Sequence, residues 1–134
     1  MNEALWEWNH NLPSGIEGVY RDPVVRHATE NYPSWDYESR IYRKDLGWDE
    51  YVAEITLIPP QNSVIVSEAD INIAQPNAYD VWTVFLHEAG HLYGLCDVYD
   101  SVYSNRVMYG IASTNSTKRS LTSAEVHVLQ NIYS

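Results

Sequence analysis

The chain has few covalent and cationic resources. Its 134 residues include one cysteine, Cys96, so no internal disulfide can form and cysteine pairing says nothing of the redox compartment. Lysine occurs only as Lys44 and Lys118, and eight basic residues face 18 acidic ones, for a net charge of −10. That balance argues against nucleic acid or an anionic membrane as the main partner. The one compact basic group, Arg40, Arg43 and Lys44, reads as a solvated helix face. No apolar run approaches the length of a bilayer span. The stretch from Met1 to Trp6 has neither a basic nor an apolar segment of the secretory kind, so no signal is read there. Internal repeats and low-complexity tracts are also missing.

What remains is the composition of one globular domain. Apolar residues make up 45% and charged residues 19%, enough of the former to bury a core at this length. The expected unit is a single domain over 1–134. Its N-terminal sheet-plus-helix part spans about 1–94 and a small C-terminal part about 95–134.

The strongest signal is His87-Glu88-Ala89-Gly90-His91-Leu92-Tyr93-Gly94-Leu95-Cys96-Asp97, an H-E-x-x-H-x-x-G-x-x-D pattern. Histidines four apart share one face of a helix, so both imidazoles can reach one metal ion. Glu88 adjoins the first ligand and is placed to deprotonate water at that ion. Gly94 can adopt the left-handed conformation that ends a helix, bringing Asp97 back as third ligand. Three ligands, a base and an open fourth position are the layout of a catalytic zinc site, whereas structural sites are closed by four protein ligands. Cys96 reads as a small packing residue, though a thiol is a possible ligand, and Asp100 is a weaker rival on spacing. His10, His27 and His127 lie outside the constellation and read as surface residues.

Around that stretch the chain divides as follows. Residues 2–10 predict a short helix with Ala4, Leu5 and Trp8 on one face, and 11–18 a loop. Val19-Tyr20 and Val24-Val25 are β-prone, and a helix is open around 36–46. Residues 51–58, 63–67 and 70–74 read as strands. The metal helix is expected from about Tyr79 or Asp80 to Tyr93, with Asp80 as N-cap. Trp82, Phe85, Ala89 and Leu92 form its buried stripe, and Val84, His87, Glu88 and His91 a neighbouring stripe facing the cleft. Thr122-x-x-Glu125 is a capping box, flanked by a Leu121/Val126 staple. Beyond it Val126, Leu129, Ile132 and Tyr133 give a helical apolar stripe.

Residues 87–97 resemble the extended zinc signature of the metzincin metallopeptidases, with Asp97 where most members carry a third histidine. Val107-Met108-Tyr109 is similar to the family's Met-turn, and Leu121 to Tyr133 to the C-terminal helix of matrixins. Ala69-Asp70-Ile71-Asn72-Ile73 resembles the matrixin strand against which substrate backbone pairs. Aspartate as third ligand in so small a chain also resembles snapalysin. The resemblance covers residues 69 to 133 and is poor before them.

It implies an α+β, compact zincin-like domain: a twisted mixed β-sheet packed on an active-site helix, then a Met-turn and a C-terminal helix. It implies a zinc endopeptidase with His87, His91 and Asp97 on one catalytic Zn2+, Glu88 as general base, and Gly94 and Met108 in support. Substrate would lie along Asp70, Ile71, Asn72 and Ile73 and against Tyr109 and Ile111. No loop indicates a structural zinc or calcium, although calcium is not ruled out. The expected partner is a protein or peptide substrate, with the chain itself a monomer. Secretion follows from the resemblance, and a cytosolic location stays open without a signal.

Two rivals are set against this. One takes Glu125 as third ligand, which leaves Gly94 and Asp97 without a purpose. The other is a zinc-bearing interaction module that cleaves nothing, and Glu88 argues against it, because a purely structural site needs no base.

Overall fold

A computed structural model of the chain describes residues 2–19 and 79–134, and the backbone of 41–42, 53–58 and 68–73. The side-chain-bearing body is built from three helices: α1 (Asn2–His10), α2 (Val81–Leu92) and α3 (Ser123–Ile132). Their starts follow local chemistry. Asp80 caps α2, its carboxylate accepting from the Thr83 amide at 3.1 Å. Thr122 and Glu125 form the expected capping box at α3.

The core joins Ala4, Leu5 and Trp8 of α1 to Val84, Phe85, Leu86 and Ala89 of α2, with Leu129 of α3 closing one side. Tyr93, Leu95, Val107 and Met108 fill the rest from the segment after α2. Trp8 is the pivot. Its ring is fully buried and stacks on Tyr93 with centroids 5.5 Å apart, and its indole N–H donates to the Leu86 carbonyl at 2.9 Å. An indole N–H buried without an acceptor would cost free energy, so this bond fixes which way α1 crosses α2. Farther along, the Glu7 carboxylate accepts from the Leu121 amide at 3.0 Å and ties α1 to the approach of α3.

This corrects the expected fold class. The residues described with side chains form three helices and no strand, so an α+β zincin-like body with a twisted mixed sheet on the active-site helix is not what they show. The reason lies in α2 itself. Beyond the expected stripe, Val84, Leu86 and Glu88 are also buried, so α2 buries more of its surface than one stripe would. The core formed by the residues described with side chains is built from helices and the loop after α2.

Outside that body, backbone alone is described for β1 (Ile41–Tyr42), β2 (Ala53–Ile58) and β3 (Glu68–Ile73). β3 lies between the other two, with β1 parallel on one side and β2 antiparallel on the other. The helix open to 36–46 is corrected at Ile41–Tyr42, which is extended. The expected strand at 63–67 and the β-prone Val24-Val25 fall outside the described residues, as does His27. Among the described residues no helix is long and apolar enough to cross a membrane.

Candidate metal centre

The site is assembled from α2 and the turn that ends it. Residues four apart put the His87 and His91 rings on one face of α2, edge to face, with centroids 5.1 Å apart. The helix then stops on a Schellman turn. The Leu95 amide donates to the Gly90 carbonyl and the Gly94 amide to the His91 carbonyl, both at 3.1 Å, with Gly94 at φ +89°. Only glycine takes that conformation without strain against a Cβ, so Gly94 performs the role expected of it.

The reversal achieves two things. It carries the Leu95 carbonyl onto His91 Nδ1 at 2.8 Å, and it returns Asp97 across the histidine pair. Asp97 Oδ1 lies 2.9 Å from His87 Nε2 and 3.8 Å from His91 Nε2. One ligand atom from each of His87, His91 and Asp97 falls within 4.8 Å of the others, a group close enough to bind a metal ion. A tetrahedron with bonds of about 2.0–2.1 Å has edges of about 3.3 Å, between the two separations seen.

The tautomers suit that role. His87 Nδ1 meets the Val107 carbonyl at 2.7 Å and His91 Nδ1 meets that of Leu95, so in each ring Nδ1 carries the proton. Both Nε2 lone pairs then face Asp97. Asp97 Oδ1 is buried, and its one close polar neighbour is His87 Nε2, with no further hydrogen-bond donor on it. A buried oxygen facing two ring nitrogens needs a shared cation, whether proton or metal. The donor set of two imidazoles and a carboxylate fits a divalent metal of the zinc type.

The three groups shift one another's protonation. Burial opposes a charge on His87, but contact with Asp97 and the nearby Glu88 raise its pKa above the usual imidazole value. His91 goes the other way, lowered mainly by burial and further by His87. The contact with His87 holds Asp97 below the usual carboxylate range. Glu88 is buried, 6% exposed, and lies close enough to act electrostatically on His87.

Beneath the pair runs the expected turn. The Tyr109 amide donates to the Arg106 carbonyl at 3.2 Å, and Met108 is buried against α2. A Cβ added at Gly90 would sit 2.4 Å from Met108 Sδ and 2.8 Å from Trp8 Cζ2. Gly90 is therefore the notch in α2 that admits the thioether, a role the motif's spacing did not disclose. The segments after the ligands are laced together, Val98 donating to Met108 and Gly110 to Val98, both at 2.9 Å.

Other expectations divide. Glu125 is no third ligand: its Oε1 accepts from the Met108 amide at 3.1 Å, and its Oε2 from the Thr122 amide and hydroxyl. Asp100 caps the 3-10 turn Ser101–Tyr103. Cys96 is exposed, against its expected packing role, because the turn at Gly94 points its side chain outward while Leu95 goes inward. His10, stacked on Trp6, and His127 are exposed. Among the proposed substrate contacts, Ile111 is 55% exposed and Tyr109 half-buried under the Lys118 ammonium. Asp70, Ile71, Asn72 and Ile73 are described by backbone only. Ile71 and Asn72 are paired on both sides, so these two offer no open edge to a substrate strand. Tyr99, which sequence reasoning passed over, donates to Asp97 Oδ2 at 3.3 Å, and its ring lies against Gly110. Its place two residues after Asp97 was the only available sign.

Comparison with protein-family models and with curated proteins returns no match for this chain.

Proposed function

We propose that this chain is a zinc-dependent endopeptidase. The carrying observation is the convergence of His87 Nε2, His91 Nε2 and Asp97 Oδ1, with both Nδ1 atoms anchored on backbone carbonyls and a buried glutamate one residue from the first ligand. The metzincin-like signature over 87–97 and the methionine-bearing turn turn a metal site into a peptidase reading. A zinc ion held by these residues supplies Lewis-acid polarisation of the scissile carbonyl and draws the pKa of water toward about 7.

The chain's own groups do the rest. Glu88 takes the proton of the attacking water and returns it to the leaving amine. Asp97 adds a negative charge that a third imidazole would not, and so would make a metal held here a weaker Lewis acid than one held by three histidines. Met108 supports the histidines from below, where a flexible side chain fits irregular space. Ile111 offers an exposed apolar contact for a substrate side chain. The substrate is a protein or peptide, and secretion and a monomeric state belong to the same reading.

A zinc-holding module without activity is the rival, and the glutamate beside the open position favours the enzyme. Metal content and cleavage of a generic protein substrate, measured on wild type and Glu88→Gln, decide between them. Stoichiometric zinc in both with cleavage in wild type alone is expected. Zinc in both without cleavage in either would favour the module, and no zinc in wild type would overturn the site.

A further inference from the structure

One peptide group links two parts of the molecule that the proposed chemistry leaves separate. The Val107 carbonyl accepts the His87 Nδ1 proton at 2.7 Å, and the N–H of the same amide, that of Met108, donates to Glu125 Oε1 at 3.1 Å. Glu125 is 3% exposed and 17 residues from Met108. Its second oxygen is held by the Thr122 amide at 2.8 Å and hydroxyl at 2.6 Å, so the carboxylate cannot turn away.

The series therefore runs from carboxylate through amide to imidazole. Hydrogen bonds at the two ends of one amide polarise each other: an acceptor on the N–H places more negative charge on the carbonyl oxygen. A more negative carbonyl holds the Nδ1 proton more firmly and makes Nε2 a better donor to a metal. Ligand histidines commonly achieve this with a carboxylate directly on the ring. Here a peptide stands between.

Resting on the metal site proposed above, we infer that Glu125 is a positioning residue for His87: it orients and polarises the 107–108 amide and thereby raises metal affinity. Its capping of α3 is the anchor that makes this possible rather than its whole purpose.

The test uses zinc affinity by chelator competition and the visible spectrum of the Co2+-loaded protein. Glu125→Gln keeps length and one oxygen for Thr122, but presents an NH2 to the Met108 N–H that cannot accept it. Thr122→Ala removes the hydroxyl contact while leaving the Met108 contact in place, and controls for helix stability. We expect Glu125→Gln to weaken zinc binding about ten- to hundredfold with a shifted cobalt spectrum, the range for outer-shell partners. Thr122→Ala should stay within about threefold of wild type. Wild-type affinity in both variants would overturn the inference, as would an equal loss in both.

Should Glu125→Gln not fold, amide exchange in wild type decides. By reciprocity, zinc must slow the Met108 amide more than the Leu129 amide, and equal slowing would overturn the coupling. A wild type that binds no zinc would instead bring down the metal site itself.

Discussion

Gly90→Ala separates what the helix wants from what the site needs. As an isolated change within α2, alanine for glycine should stabilise by about 1 kcal/mol, because glycine gives up more backbone freedom on folding. The structure reverses that sign. The new methyl would meet Met108 Sδ at 2.4 Å, Met108 Cε at 3.1 Å and Trp8 Cζ2 at 2.8 Å. The thioether can adapt. The indole cannot, since it is fully buried, bonded to the Leu86 carbonyl and stacked on Tyr93. Overpacking of this kind costs about 2–3 kcal/mol, leaving a net loss of about 1–2 kcal/mol after the propensity gain. For a chain of this size that is a fall of roughly 3–8 °C in Tm. Zinc affinity should fall with it to the extent that the strain passes from the Met108 side chain to the 107–108 peptide, whose carbonyl holds His87. Thermal and urea unfolding with and without zinc measure both effects. A variant at least as stable as wild type would refute the reasoning, for the notch would then be empty.

Three further outcomes follow from the geometry. Gly94→Ala meets no atom within 4 Å of the new methyl, so its cost is backbone strain alone, about 1–2 kcal/mol, read by urea unfolding. Gly94→Asn should recover part of it, and an equal loss for both would count against the left-handed turn. Asp80→Asn keeps a good N-cap but loses the Arg119 pair, whose side-chain hydrogen bond most strongly holds the Asp80 pKa below its usual range. A depressed folded pKa gives stability that is present above the unfolded value, about 3.9, and is lost as pH falls through the folded one. The wild-type advantage in Tm should therefore be full near neutrality and shrink below about pH 4; a pH-independent gap would contradict the pairing. Finally, the raised His87 pKa lets protons compete with zinc from above about pH 6.5, so affinity by chelator competition should fall steadily between about pH 8 and 6. A flat profile would mean that His87 is not a ligand.

Features with partners three to five residues away could be read from the chain alone. The histidine pair on one face, the Asp80 and Thr122 caps and the glycine turn bringing Asp97 round rest on contacts whose geometry the backbone sets once a helix starts or stops. The apolar face of α1, with Ala4, Leu5 and Trp8 buried, was legible for the same reason of periodicity. Where the spacing argument met packing, it failed in detail. Ile132 belongs to the expected stripe of α3 yet is 46% exposed, while Leu86, off the expected stripe of α2, is fully buried.

Tertiary structure alone decided what surrounds the ligands. His87 finds its second partner 20 residues away in Val107, and Met108 finds Glu125 17 residues away. Tyr93 reaches Asn9 across 84 residues. Such pairs leave no periodic trace, because packing and not backbone repeat brings them together. The same holds for the helical core in place of the expected sheet-backed one, and for Gly90, whose missing side chain acquires meaning only once a methionine lies against it. Sequence determined which atoms can hold a metal. The packing of α1, the turn at Met108 and α3 decided how firmly they are held, since that depends on which distant groups fill the space behind them.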